Sequence, residues 1–155
     1  MSTSFVSRFI PPTTERVRRH TDEDVNERII EETDGNVAGY ATDPRLIDMR
    51  LEDLDREWDI ERALEANAAA VSLMGLVLGR LVDRRWYFLT TAVATFLLQH
   101  AVQGWCPPLS LLRRFRVRTQ REIDEERYAL KLMRGDFGEQ RRRMPVAEVM
   151  QAVRR

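Results

Sequence analysis

Three side chains of this 155-residue chain can act as nucleophile, proton shuttle or soft metal ligand near neutral pH: the single cysteine, Cys106, and the two histidines, His20 and His100. A thiolate or persulfide at Cys106 would be cradled by the backbone N–H groups that follow it, as at a helix start. Pro107 and Pro108 follow instead, and proline has no N–H. A thiol or sulfur-relay role for Cys106 therefore lacks two of its expected donors. Haem ligation through the Cys-Pro element has no second ligand placed for it. One cysteine makes neither an intrachain disulfide nor a cysteine zinc cage. His100 is the other candidate functional residue. It lies beside Gln99 in a stretch without formal charge, and an ionisable group in an apolar helix is a functional candidate by default. The competing reading is structural: a hydrogen bond across a helix pair, with Gln99 and Gln103 nearby, or contact with interfacial water. His20 is remote in a polar arm with no organised carboxylate partner, so no metal site and no cofactor is expected.

The acids Asp53, Asp55, Glu57, Asp59 and Glu61 recur every second residue. On a helix that spacing scatters them around the axis, so they read as a solvated face and not as converging ligands. A phosphate loop, a nucleophile elbow, a zinc-binding His-Glu pattern and a nucleotide fingerprint are all missing from the sequence. The expectation is a protein that is not an enzyme and has no catalytic residues. With 25 basic against 25 acidic residues, there is no bulk attraction for nucleic acid either.

The elements that carry these residues follow from how charge is distributed. Charged residues make up 32% of the chain, yet Ala66–Gly79 has none and Trp86–Leu112 has none if His100 is neutral. Segregation of this kind fits a bilayer better than a globular core. Ala66–Val82 is interrupted only by Arg80, which can snorkel to headgroups. At 1.5 Å per residue it spans ~25 Å against a hydrocarbon core of ~30 Å. Asp83-Arg84-Arg85 is the turn, Trp86–Gln103 the second span, and Gly104-Trp105-Cys106-Pro107-Pro108 its end. Trp86, Tyr87 and Trp105 fall where interface aromatics belong. Gly75 and Gly79 form a small-x-x-x-small pair that lets helices approach closely, and they are the expected helix-packing residues.

Amphipathic helices flank the hairpin. Thr21-Asp22-Glu23-Asp24 opens one that Asp34-Gly35-Asn36 should close. Asp43-Pro44 opens the next, whose Ile47, Leu51, Leu54 and Trp58 make a one-sided seam. No breaker separates Trp58 from Ala66, so that helix is expected to run into the first span. Thr119-Gln120-Arg121-Glu122 is a capping box for a third helix ending at Gly135, and a short fourth runs from Pro145 to Arg155. The implied organisation is a flexible N-terminus over residues 1–20, an amphipathic arm over 21–65, a transmembrane hairpin over 66–112 with spans at about 66–82 and 86–104, and a basic amphipathic region over 113–155. Residues 1–12 lack the long apolar core of a signal peptide.

Local charge is uneven. Residues 43–65 hold nine acids and four arginines, whereas residues 113–121 hold five arginines and no acid. Arg113, Arg114, Arg116 and Arg118 follow the second span directly and are the expected lipid-headgroup contacts. The same basic run is a possible partner for the acidic arm, at ~0–1 kcal/mol per exposed pair. The arginine count on the flanks exceeds that of the connecting loop, which favours both termini in the cytoplasm.

With those residues in view, Leu64–Leu112 resembles the transmembrane domain of the YgaP-like inner-membrane proteins, a bacterial family of unknown function. The resemblance rests on Gly75 and Gly79, on Trp86 after a short turn, and on the ending Gln103-Gly104-Trp105-Cys106-Pro107. It implies a hairpin in a bacterial inner membrane. Some family members carry a rhodanese domain, which this sequence lacks. The combined expectation is an all-α fold: a two-helix transmembrane hairpin flanked by amphipathic cytoplasmic helices, serving as a membrane anchor or assembly protein. Its partners would be lipids and a homo-oligomer or another membrane protein, with self-association through the glycine face and the Ile47–Trp58 seam. The alternatives are a soluble helical-bundle interaction module and, less favoured, a thiol or sulfur relay at Cys106.

Overall fold

The Asp43 side chain accepts a hydrogen bond from the Arg45 N–H at 2.8 Å, and Pro44 occupies the first helical position. Cap and proline together start a helix at the expected place. The same local rules set the other ends. Thr119 and Glu122 bond each other's backbone N–H groups in a complete capping box, and Gly135 closes that helix in left-handed conformation at φ 99°. In the computed structural model, which describes Pro12 and residues 14–138 and 144–154, the secondary structure is helical throughout with no strand among the described residues. The helices are α1 (Arg16–Arg19), α2 (Glu23–Tyr40), α3 (Pro44–Arg56), α4 (Ile60–Leu81), α5 (Tyr87–Gln103), α6 (Pro107–Arg114), α7 (Gln120–Arg134) and α8 (Val146–Val153), with a 3-10 turn at Arg84–Trp86. The reading of residues 1–11 lies outside the described residues.

The chain folds as two interleaved units, and not as a hairpin with separate N- and C-terminal arms. One unit comprises residues up to Asp22 and Ile60–Val117; the other comprises Glu23–Asp59 and the residues from Arg118 onward. The second unit is a four-helix cluster in which α7 packs against α2, α3 and α8. Its core joins Val37, Ile47, Leu51, Leu54, Ile123, Leu130 and Val149. The Ile47-Leu51-Leu54 seam is thus spent on folding this unit, and Trp58 at its end is half exposed. The seam is not left over for self-association.

Two helix boundaries differ from expectation, both for tertiary reasons. α2 continues through Gly35 and Asn36 to Tyr40, because Val37 is fully buried and Tyr40 packs on the same core. Glycine inside a helix costs only ~1 kcal/mol, and burying one large apolar side chain offsets it. The helix expected to run from Asp43 into the first apolar block breaks at Glu57, whose backbone turns extended (φ −64°, ψ 132°). No glycine or proline marks the break. Instead Glu57 accepts two bonds from Arg118, from Nε at 2.8 Å and from Nη2 at 2.6 Å.

The first unit is an antiparallel pair, α4 and α5, joined by Asp83 and the 3-10 turn; Asp83 Oδ1 accepts from the Arg85 N–H at 2.7 Å. At its base lies a small core of Val17, Ile60, Leu64, Cys106 and Leu109. Pro107 and Pro108 do not merely end α5: they occupy the opening positions of α6, where a missing N–H costs nothing.

Candidate functional site

Between α4 and α5 the close contact is made by glycine. A Cβ placed on Gly75 would stand 2.5 Å from Thr90 Oγ1 and 3.2 Å from both Thr90 N and Trp86 O. One on Gly79 would meet the Tyr87 ring at 2.6 Å. Both glycines are buried. The expected helix-packing residues do pack helices, but within one hairpin, so their face is not available to a second copy.

Around this seam the side chains point outward. Leu73, Leu76, Val77, Leu81, Phe88 and Leu98 are exposed, Leu81 at 75% and Phe88 at 77%. From Ala66 to the end of α4 and throughout α5, the buried residues are Gly75, Gly79 and His100. Among the described residues one helical stretch, the one containing α4, is long and apolar enough to cross a membrane by length and composition, and 17% of its most apolar window is buried. Polar side chains in the hairpin turn inward on the backbone. Thr90 Oγ1 donates to Ser72 O at 3.1 Å across the pair, Thr91 and Thr95 donate one turn back to Tyr87 O and Thr91 O, and Asn67 donates to Ala63 O.

The base of the hairpin holds a polar cluster. His100 Nε2 lies 3.0 Å from Glu61 Oε2, and Glu61 Oε1 accepts from Arg16 Nη2 at 2.8 Å. Arg16 Nη1 also donates to Ala101 O in the last turn of α5, where a cation suits the helix dipole. Arg16 can come this close because α5 ends at Gly104 in left-handed conformation (φ 79°), whose missing Cβ would otherwise sit 2.5 Å from Arg16 Cβ. Cys106 is buried in the small core at this end of the hairpin, and His100 Nδ1 is buried without a hydrogen-bond partner. Of the two candidate residues from sequence, His100 belongs to the polar cluster and Cys106 to the apolar core. Glu61 and Arg16 were not singled out. The available signal was that a lone histidine in an apolar helix needs a charged partner, but only packing selects Glu61 from a row of five acids.

The remaining expected residues divide. Trp86, Tyr87 and Trp105 are partly exposed at the two ends of α5, as interface aromatics would be. Arg114 and Arg116 are exposed. Arg113 and Arg118 are not, which corrects their assignment to lipid headgroups. Arg113 is 1% exposed and donates to Thr21 Oγ1 and Val117 O. Arg118 is buried in the four-helix unit, held by Glu57 and by Glu126, which Arg50 also grips from Nε at 2.6 Å. Burial works to raise the Glu126 carboxyl, but hydrogen bonds and charge from Arg50 and Arg118 outweigh it and hold the group below the usual carboxylate range. Arg118 is the point where the basic run and the acidic arm do meet, as a buried network and not as solvated pairs. Among the described residues no group of three or more histidine, cysteine or acidic side chains is arranged to hold a metal ion.

Comparison with protein families, with characterised proteins and with solved structures finds no match for this chain.

Proposed function

We propose that this is a small integral membrane protein, with α4 and α5 embedded as a hairpin and the four-helix unit in water, acting as a non-enzymatic anchor or assembly protein. The observation that carries the reading is the inside-out character of the hairpin: glycine between the helices, large apolar side chains on the outer surface. An exposed apolar surface of this extent has to be covered. Lipid is the covering that also accounts for the hydroxyls bonded to backbone, for the partly exposed aromatics at both ends of α5, and for Arg80, Arg84 and Arg85 gathered at the tip. The membrane proposed is a bacterial inner membrane, crossed twice with both termini cytoplasmic; the arginine balance and the resemblance to YgaP-like domains support it. The four-helix unit carries its own core and ion network, and is the part that would meet a soluble or membrane partner.

Membrane fractionation tests the proposal. Washing with alkaline carbonate should leave the protein in the pellet, and neutral detergent should release it. Release by carbonate alone would favour the soluble interaction module, with the hairpin covered by protein.

A further inference from the structure

We infer that α6 and the turn after it are an interfacial foot that seats the base of the hairpin on acidic phospholipid, with Leu111 and Phe115 at the acyl boundary and Arg114 and Arg116 on headgroup phosphates. The first observation is that α6 is inverted. Its cation Arg113 is 1% exposed and donates inward to Thr21 Oγ1 and Val117 O. Phe115, at the C-cap, is 72% exposed, and Leu111 is exposed beside it. A helix lying on water turns such residues the other way. Pro107, Leu111 and Phe115 recur at steps of four and form one exposed row. Leu109, on the other side, is fully buried in the core at the base of the hairpin.

The second observation is continuity. α6 packs against α4, and Pro108 joins Leu64, Val71, Val93 and Phe96 in lining an apolar groove between α4 and α5. A medium that covers the outer surface of the hairpin therefore reaches Pro108 and the row beside it. The third is charge. Residues 113–121 hold five arginines and no acid, and Arg114 and Arg116 are exposed on either side of Phe115. Asp22 Oδ2 faces Arg114 at 3.8 Å with both side chains open to solvent, a pair loose enough for phosphate to replace. Arg116 takes a left-handed backbone, φ 61°, that glycine would adopt without strain, so a guanidinium is kept there at a conformational cost. Acidic phospholipid meets both halves of the surface: acyl chains cover the row, and surface charge and phosphate oxygens meet the arginine forks. This role rests on the bilayer reading of the hairpin and adds to it the class of lipid that the base selects.

The test uses the full chain in a Cys106→Ser background, reconstituted in phosphatidylcholine liposomes. A fluorophore is attached at Leu111→Cys or, as the embedded reference, at Leu73→Cys. Quenching by doxyl-labelled phosphatidylglycerol is compared with quenching by doxyl-labelled phosphatidylcholine at the same mole fraction. Both lipids should quench the Leu111 label, with phosphatidylglycerol enriched around it ~5-fold, the contribution of about one arginine at an anionic surface. The preference should collapse in ~1 M salt, where the Debye length is ~3 Å. The Leu73 label should be quenched equally by the two lipids. Arg114→Gln combined with Arg116→Gly, which keeps the left-handed turn, should abolish the preference and leave quenching by phosphatidylcholine unchanged. Arg114→Lys combined with Arg116→Lys should retain it. Quenching at Leu73 without quenching at Leu111, equal quenching of the Leu111 label by the two lipids, or a preference that survives loss of both arginines would overturn the inference while leaving the hairpin in the bilayer. A Leu73 label that neither lipid quenches would overturn the bilayer reading, and the foot with it.

Discussion

Thr90 occupies the space that a side chain on Gly75 would need. Its Oγ1 lies 2.5 Å from where that Cβ would be, while it donates to Ser72 O at 3.1 Å. A methyl group at position 75 therefore meets backbone atoms on α5 as well as a bonded hydroxyl. At Gly79 the obstacle is the Tyr87 ring alone, which is partly exposed and can swing. Gly75→Ala should destabilise the hairpin by ~1–3 kcal/mol and Gly79→Ala by less. Titration of the detergent-solubilised protein with a denaturing detergent, followed by circular dichroism, measures both. Equal effects would mean that the two helices are not in this register.

In the four-helix unit the sensitive point is Glu126, fully buried between Arg50 and Arg118. Removing one partner of a buried ion network typically costs ~3–5 kcal/mol. Glu126→Gln should therefore lower the unfolding free energy of this unit, read from urea titration at neutral pH, by an amount in that range, and an unchanged urea midpoint would contradict the buried network.

The same residue sets an acid limit. Its folded pKa is depressed, so its contribution is complete above the unfolded glutamate value of ~4.3 and is lost as pH falls through the folded value. The stability difference between wild type and Glu126→Gln should hold from neutrality to about pH 5 and narrow below ~4.3. A difference that widens on acidification would contradict the assigned charge state.

Gly104→Ala addresses the docking of α1. The left-handed backbone costs an L-residue ~1–2 kcal/mol, and the new Cβ would collide with Arg16. Faster tryptic cleavage at Arg16, Arg18 and Arg19 is expected, with α4 and α5 intact. An unchanged cleavage rate would mean that α1 is not held against Gly104.

What was legible in the sequence was whatever local chemistry decides. Asp43-Pro44, the Thr119–Glu122 capping box, the Asp83 turn, Gly104 and Gly135 all fall where the residues place them. The continuation of α2 through Gly35 was not legible, because it depends on Val37 finding a core built partly from residues more than 80 positions later. Nor was the break at Glu57, whose cause is Arg118, 61 positions away. For the same reason a basic run reads as a uniform headgroup contact, although folding buries Arg113 and Arg118 and leaves Arg114 outside. At the candidate site, His100 and Cys106 are conspicuous as rare residue types in an uncharged stretch, whereas Glu61 looks like its four acidic neighbours.

The claim that lipid surrounds the hairpin is most directly tested by spin labels placed singly at Leu73, Val77 and Leu98 in a Cys106→Ser background, with the protein in liposomes. All three positions are exposed on the outer surface of α4 or α5. If the account holds, each label collides readily with dissolved oxygen and hardly at all with a water-soluble nickel chelate. Labels equally open to the chelate, or shielded from both reagents by packed protein, would contradict it.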